Sequence, residues 1–314
     1  MFINIIVPVF NSEKTIHKCL NSIKNQTSTN YNVFIIDDGS TDNSREIIHK
    51  FVNEDRRFIY KYQKNAGVSA ARNNGLSMLN GDFVMFVDSD DYLEIDSIDI
   101  LTKLANETEA SIIEFKSIQD NYKYDIDKNS YLIEDYNTAI ERMYKSNIIA
   151  VWNKFINVKL LENLFFLENL EVGEDALFNF QIIKKANKII FLNKSLYHYC
   201  VDNTESLTRA KFTLKQFSQI CAYEQIYQFA KQNNFNRVIL LKTKKILQTY
   251  YEQNFIKLCL FNKFDKQYKL RNEIKMKLNN YNFESISYNS IIIKKIPLFL
   301  SNFYFKLRFL LNKQ

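Results

Sequence analysis

Three carboxylates follow an uninterrupted apolar run in segment 83–91. The run Phe-Val-Met-Phe-Val ends at Asp88, and Asp90 and Asp91 follow directly. An apolar run is typical of a central strand in a parallel sheet, whose ligands bind at the carboxyl ends of the strands. Clustered carboxylates repel one another unless a cation offsets their charge, and their hard oxygens favour Mg²⁺ or Mn²⁺. The segment predicts a buried strand that ends at a metal site; a solvated, Asp-rich turn is the alternative.

Two more predicted strands end in turns that are suited to binding. Val-Pro-Val-Phe-Asn at 7–11 ends the first strand, and Asp-Asp-Gly-Ser-Thr-Asp at 37–42 ends the second. Gly39 permits a tight turn and a close backbone approach, and the Asp38 carboxylate is able to accept a hydrogen bond from a base or a ribose. The three strand ends indicate one cleft, although Asp-Asp-Gly-Ser is also an ordinary turn with a helix N-cap.

The elements that position these turns alternate along the chain. The alternation predicts an α/β fold with a doubly wound, mostly parallel sheet. Predicted strands cover 2–9, 33–37, 58–61, 82–87, 111–115 and 188–191, and predicted helices cover 13–25, 41–53, 69–79, 97–106, 139–146 and 176–186. Residues 117–136 are polar and Tyr-rich, which indicates an exposed excursion, and most of 214–280 is predicted to be helical.

Charge divides the chain near residue 210. Residues 1–210 hold 23 Lys and Arg against 30 Asp and Glu, a net charge of −7, whereas residues 211–314 hold 19 against 5, a net charge of +14. The overall composition, with 46% hydrophobic and 25% charged residues, is that of a folded globular protein and excludes a disordered chain. We expect an α/β catalytic domain over 1–210 and a helical region over 211–314.

The spacing of the cysteines and the hydropathy of the sequence indicate the cellular compartment in which the protein is expected. The four cysteines contain no CxxC pair, so neither a zinc knuckle nor a disulfide framework is indicated, and a reducing cytoplasm is expected. No basic leader precedes a cleavable apolar segment, and no stretch of about 18 uncharged apolar residues occurs. The sequence therefore predicts a protein that is neither secreted by a leader nor membrane-spanning.

The order, spacing and residue types of these motifs resemble glycosyltransferase family 2, a group of GT-A-fold enzymes that use nucleotide sugars. The resemblance runs from residue 3 to about residue 209. Its segments are Ile-Ile-Val-Pro-Val-Phe-Asn at 5–11, Ile-Asp-Asp-Gly-Ser-Thr-Asp at 36–42, Asn-Ala-Gly-Val-Ser-Ala-Ala-Arg-Asn at 65–73, Asp-Ser-Asp-Asp at 88–91, Glu-Asp at 174–175 and Ser-Leu-Thr at 206–208.

The resemblance implies a donor site and a divalent cation. Residues implied to contact the nucleotide sugar are Pro8, Phe10, Asn11, Asp38, Arg72, Asn73, Asp88 and Ser89. Pro8 and Phe10 would frame the base, usually uracil. Asp90 would ligate Mn²⁺ or Mg²⁺, with Asp88 and His198 as further candidates; a cation stabilises the charge that develops on the leaving diphosphate. The alternative for His198 is a purely structural role, which is common for a lone His beside aromatic residues.

The resemblance also implies catalytic and acceptor residues. An inverting transfer needs a base that takes the proton of the acceptor hydroxyl, and Asp175 is the candidate, with Glu174 orienting it or binding the acceptor. Acids in the first turn of a helix also favour its dipole, which is the structural alternative. Trp152, which is able to stack on a sugar or to lie in the core, and Asp91, which alternatively holds the turn, are the acceptor-binding candidates.

The C-terminal segment has the pattern of a basic amphipathic helix. Five cations and no acid lie between Lys294 and Lys313. On a helical projection the cations share one arc of about 160°, and apolar residues lie opposite. Phe305 and Phe309 intrude on the polar side, which favours insertion into a lipid interface. We expect 290–314 to bind the cytoplasmic membrane surface; packing on the protein itself or on a second subunit is the alternative.

Together the motifs predict a metal-dependent inverting glycosyltransferase of hexosyltransferase type, peripheral at the inner face of the plasma membrane. It would transfer a sugar, with UDP favoured as the carrier, to a saccharide or lipid-linked acceptor in bacterial surface glycan synthesis. A sugar nucleotidyltransferase is disfavoured because residues 8–15 contain no glycine for a phosphate loop. A noncatalytic nucleotide- or glycan-binding module is the other alternative. No nucleic-acid motif is present, and the sequence leaves homo-oligomers open.

Overall fold

The computed structural model describes residues 1–200, 213–281, 283 and 287–311. It divides the chain into two units, Met1–Leu207 and Thr208–Gln314. The Ser-Leu-Thr segment at 206–208 and Lys313 lie outside the described residues, so the expectations attached to them stay predictions.

One sheet forms the centre of the first unit. Its described strands are β1 (Ile3–Val9), β2 (Tyr31–Asp37), β3 (Phe58–Tyr62), β4 (Phe83–Phe86), β5 (Tyr92–Leu93), β6 (Ile112–Ser117), β7 (Tyr131–Glu134), β8 (Lys154–Asn157) and β9 (Ile189–His198). Their order is β3-β2-β1-β4-β8-β6-β9-β5, with β7 paired to β9. The α/β fold is confirmed, and strands β3, β2, β1 and β4 form its parallel core.

Beyond β4 the sheet is mixed, which the sequence does not show. Strand β8 runs antiparallel to both β4 and β6, β9 is parallel to β6, and β5 and β7 pair antiparallel with β9. Strand β7 lies inside the excursion expected over 117–136, and three of its four residues are exposed. The sequence does not predict strand β8, because the strand begins at a buried lysine. The Nζ atom of this residue, Lys154, lies 3.0 Å from Glu114 Oε1.

Helices cover both faces of the parallel core, which is why all seven residues of β1 are buried. The helices of this unit are α1 (Ile16–Lys24), α2 (Ser44–Glu54), α3 (Val68–Leu76), α4 (Ser97–Thr108), α5 (Tyr136–Ser146) and α6 (Glu174–Lys185). Gly75 lets α3 lie directly on β1, because a Cβ atom there would be 2.6 Å from Ile6 Cγ2. This close approach fixes the height of α3 over the sheet.

The second unit is helical in its described residues, as expected. Its helices are α7 (Ser218–Gln232), α8 (Arg237–Leu260), α9 (Lys269–Asn280), α10 (Tyr288–Lys295) and α11 (Leu298–Leu311). The buried guanidinium of Arg271 in α9 pairs with Asp265 at 2.8 Å and also bonds Asn302 in α11. In the described part of the chain, no helix combines the length and the apolar character needed to cross a membrane.

The C-terminal segment differs from the predicted single helix in two respects. Helix α10 ends before Pro297 and α11 begins after it, since proline restricts the residue that precedes it. Phe305, expected to favour lipid insertion, is instead buried with its ring 6.1 Å from Phe255 of α8. Helix α11 therefore packs on its own unit through a strip that includes Ser301 and Phe305.

Candidate active site

Three neighbouring parallel strands end at the same edge of the sheet. Val9 pairs with Asp37 at the end of β1 and β2, and the Val87 N–H, just after β4, donates to Ile6 O at 3.0 Å. The chain segments that leave these ends are the ones predicted to bind a donor. The structure therefore brings the residues 10–11, 38–39 and 88–90 to the same rim, where ligands of α/β sheets bind.

Arg72 of α3 joins acids from two distant segments at this rim. Its Nη1 atom lies 2.7 Å from Asp175 Oδ1 and 3.3 Å from Glu174 Oε1, and its Nη2 atom lies 3.2 Å from Asp88 Oδ1. The side chain is buried, and the Phe166 ring centroid lies 5.3 Å from its Cζ atom. One guanidinium thus holds the first acid of the Asp-Ser-Asp segment and the candidate base together.

Burial and like charges set the protonation of this cluster. Burial raises the pKa of Asp88, and Arg72 opposes that shift. Burial and the neighbouring Asp175 raise the pKa of Glu174, again against Arg72. Burial alone would lower the pKa of Arg72, but Asp175, Asp88 and Glu174 raise it above its usual value. The guanidinium therefore stays charged, and the raised pKa favours the protonated form of Glu174.

The turn after β4 is held from inside the protein. The Asp88 N–H donates to Tyr197 Oη at 3.1 Å, and Tyr197 Oη donates to Asp91 Oδ2 at 2.8 Å. The Cys200 N–H donates to Asp91 Oδ1 at 2.8 Å, and burial, followed by the charge of Asp88, raises the Asp91 pKa to about 8. Asp91 is only 1% exposed, so it holds the turn, and the structure does not place it to touch an acceptor.

The donor candidates at the first two strand ends divide into buried and exposed groups. Pro8 is buried within β1, so it is not placed to frame a base, whereas Phe10 is 49% exposed. Asn11 has a positive φ of 49°, and its Oδ1 accepts from the Thr41 N–H at 2.8 Å. Ser89 Oγ lies 2.7 Å from Ser12 Oγ. These bonds tie the three turns to one another.

Asp38 and Asn73 are occupied by contacts within the chain. Both Asp38 oxygens lie 2.8 Å from backbone N–H groups, those of Ala66 and Gly67. Asn73 makes a two-way backbone pair with Phe166, in which Nδ2 donates at 2.9 Å and Oδ1 accepts at 2.8 Å. In this structure Asp38 fixes the 63–67 loop and Asn73 fixes the loop around Phe166, so any donor contact by either residue stays a prediction.

Trp152 and His198 both lie in aromatic stacks. The Trp152 ring is buried and stacks on Tyr197 with centroids 4.5 Å apart, which is the core arrangement and not an open sugar platform. The His198 ring stacks on Tyr92 at 4.1 Å, and its Nε2 atom lies 2.5 Å from Glu94 Oε1. His198 as a metal ligand stays a prediction.

The donor atoms at the rim suit a hard cation only in part. Within the described residues, no cluster of three or more His, Cys, Asp or Glu side chains is placed to hold a metal ion. Asp88 and Asp90 nevertheless supply carboxylate oxygens, the ligand type that Mg²⁺ and Mn²⁺ prefer. The chemistry fits a cation whose remaining ligands are diphosphate oxygens and water.

Two residues that are important to the site are not predicted from the sequence. Tyr197 supports Asp88 and Asp91, and Phe166 packs under Arg72 and stacks on Phe178 at 3.9 Å. The feature of the sequence that could have indicated Tyr197 is its position next to His198 in a strand rich in aromatic residues. For Phe166 it is a pair of phenylalanines in the short segment before the Glu-Asp pair.

Replacing Arg72 by Met is expected to destabilise the fold. Three acids lose their cation, and because they keep some solvent access the loss should be about 2–3 kcal/mol, below the value for a fully buried pair. Urea denaturation followed by circular dichroism measures it. The control is Arg56→Ala, an exposed arginine with an expected change within about 0.5 kcal/mol. Equal stabilities of Arg72→Met and wild type would show that the cluster contributes nothing.

Comparison with known proteins agrees with this geometry. A family model described as Glycosyl transferase family 2 matches residues 4–185. GlyG of Streptococcus pneumoniae serotype 4, named a glycosyltransferase, is 30% identical over 231 residues, 68% of this chain and 74% of GlyG. GlyA, a glycosyltransferase of the same strain, is 38% identical over 210 residues, which are 63% of this chain but only 30% of GlyA.

A solved structure gives the fold. The structure of S. aureus TarS 1–349 in complex with UDP-GlcNAc superposes with a TM-score of 0.61 at 21% sequence identity, over 92% of this chain and 95% of that chain. The family match covers more than half of the sequence and includes every acid of the rim. The chain therefore belongs to glycosyltransferase family 2, has the GT-A fold and is a glycosyltransferase.

Proposed function

We propose that this enzyme transfers a sugar with inversion from a nucleotide sugar to a saccharide or lipid-linked saccharide, and that Asp175 is the general base. The observation that carries the proposal is the Arg72 contact with both Asp88 and Asp175. It places the candidate base beside the acid implied to bind the donor. The TarS structure, a complex with UDP-GlcNAc, supports UDP as the nucleotide.

In the proposed reaction the Asp175 carboxylate takes the proton of the acceptor hydroxyl. The hydroxyl oxygen attacks the anomeric carbon, and the bond from that carbon to the diphosphate oxygen breaks, releasing the nucleoside diphosphate. A protonated Glu174, which the raised pKa favours, would lower the like-charge repulsion beside Asp175. Arg72 orients Asp175 and supplies positive charge at the rim, where negative charge develops on the leaving group.

Asp90 and Asp88 would hold Mn²⁺ or Mg²⁺ together with the donor diphosphate. The bound cation would supply electrostatic stabilisation of the leaving diphosphate. Arg72 is the protein's own positive charge next to Asp88, at 3.2 Å. The two charges would share the neutralisation of the diphosphate.

Helix α11 supports a peripheral association with the cytoplasmic face of the membrane. Its buried strip, with Ser301 and Phe305, packs on its own unit, so its apolar side faces outward. Phe299 is 68% and Phe303 is 71% exposed, and the exposed apolar residues on α11 also include Leu300, Leu307, Leu310 and Leu311. Lys294 and Lys295 precede this surface. An apolar face flanked by cations suits an anionic lipid interface.

A noncatalytic binding module is the second reading, and replacing Asp175 by Asn distinguishes the two. The amide cannot take a proton, so turnover should fall by about 10²–10⁴-fold while UDP binding persists. UDP formation from UDP-sugars, with calorimetry of UDP binding, gives both values. Asp125→Asn changes an exposed acid outside the site and should keep wild-type turnover. If wild type forms no UDP or GDP from any UDP- or GDP-sugar tested, the binding module stands.

Removing divalent cations should abolish most UDP formation. Without them the diphosphate loses its main counter-charge, so excess EDTA is expected to lower the rate by at least about tenfold, and added Mn²⁺ or Mg²⁺ should restore it. Asp90→Ala should weaken activation by Mn²⁺, seen as a higher Mn²⁺ concentration at half-maximal rate. Full turnover in EDTA would contradict the metal assignment while leaving glycosyl transfer intact.

Replacing Phe299 and Phe303 together by Ser should weaken membrane binding. Each ring buries apolar surface at an interface, so affinity for vesicles of phosphatidylcholine and phosphatidylglycerol at 3:1 is expected to fall by at least about tenfold. Co-sedimentation with the vesicles measures it.

The control replaces Val238 and Met276, two exposed apolar residues of the same unit, by Ser. This variant should bind the vesicles like wild type. If both double variants lose binding equally, or neither does, the outward side of α11 is not the membrane contact.

A further inference from the structure

A cleft of about 810 Å³ lies beside the acid cluster, between segment 63–74 and loop 165–169. We propose that this cleft, called the 165–169 cleft below, binds a second sugar unit of the acceptor, with Phe165 against the apolar face of its ring. The proposal rests on the proposed function, because it assigns the acceptor to a saccharide of at least two units. It also assigns specificity to residues that have no part in the chemistry.

The cleft adjoins the Arg72 cluster through a covalent neighbour of Arg72 on one wall and a ring contact with Arg72 on the other. On one wall, Asn73 follows Arg72, whose guanidinium holds Asp175 at 2.7 Å. On the other wall, the Phe166 ring lies 5.3 Å from Arg72 Cζ. Both residues also line the cleft. An acceptor whose hydroxyl reaches Asp175 is therefore able to extend its next sugar unit into the cleft.

Loop 165–169 is preorganised. The Asn73 amide makes two hydrogen bonds to the Phe166 backbone, at 2.8 and 2.9 Å, and a third to Glu168 Oε1 at 3.1 Å. The Phe166 ring is buried and stacked on Phe178. Its neighbours are open, since Phe165 is 55% and Leu167 is 37% exposed. Because the buried Phe166 ring already fixes the loop while its neighbours stay exposed, the loop backbone loses little conformational entropy when a ligand binds.

The lining matches a neutral sugar better than a charged group. One cation, Lys64, and one anion, Glu168, leave no net charge, and the other polar side chains include the amides of Asn74 and Asn169. An aromatic ring among amides provides an apolar face together with hydrogen-bond donors and acceptors, which are the two properties of a pyranose surface. A phosphate group would instead favour a cluster of cations.

The experiment compares p-nitrophenyl glycosides of glucose, galactose and N-acetylglucosamine with the corresponding glycosides of cellobiose, lactose and chitobiose. In wild type, KM should be lower for the disaccharide than for the matching monosaccharide. Phe165→Ala should raise the disaccharide KM by about tenfold, as for truncation of an aromatic contact, and leave the monosaccharide KM unchanged. UDP formation without acceptor should also be unchanged, since the proposal assigns Phe165 to the acceptor and not to the donor.

Ile133→Ala on β7 is the matched control, because it removes an exposed apolar side chain outside the cleft. Leu167→Ala gives a second test should Phe165→Ala unfold, and thermal unfolding of each variant reports its folding. Saturation-transfer NMR of the same glycosides with UDP-loaded enzyme measures binding without turnover. Absence of UDP formation from any nucleotide sugar would therefore defeat the proposed function while this measurement still tests the cleft.

Three results would overturn the cleft proposal. The first is an unchanged disaccharide KM in a folded Phe165→Ala variant. The second is an equal loss of UDP formation with and without acceptor, which would assign the cleft to the donor. The third is the absence of any saturation-transfer signal from the disaccharides with the wild-type enzyme.

Discussion

The geometry of this active site depends on one buried cation. Arg72 contacts Asp88, Glu174 and Asp175, and without it three acids would repel one another in a poorly solvated site. The same interaction joins the turn after β4, which carries Asp88, to the start of α6, which carries Asp175. One side chain therefore both offsets the charge of these acids and fixes their positions at the rim.

The rest of the first unit keeps that cation in place. Gly75 seats α3 on β1 through its close approach to Ile6, and Phe166 packs under the guanidinium. From the other side, Tyr197 supports the backbone of Asp88. The contacts that hold Arg72 come from buried groups, whereas Phe165 and Leu167 of loop 165–169 are exposed.

In the second unit, the notable feature is the orientation of the C-terminal helix α11. Helix α11 packs through Ser301 and Phe305, while Arg271 bonds Asn302, so part of the polar side of the helix is inside. Its apolar side is left outward. A helix that had only to stabilise its own unit would bury that side, because burial of apolar surface is the main source of stability. The proposed contact with a lipid interface would cover this outward side.

The sequence by itself determined the strands and helices of the parallel core and the acids of the rim, because periodicity and strand-end motifs are local properties. It did not determine the partners of these residues. Arg72 and Asp175 are 103 positions apart, and Pro8, Asp91 and Trp152 have motif positions that are equally compatible with a surface or a buried place. Only the tertiary structure decided those matters, since burial and pairing depend on which distant segments pack together. The same reason explains α11, whose amphipathic pattern was readable although its packed side was not.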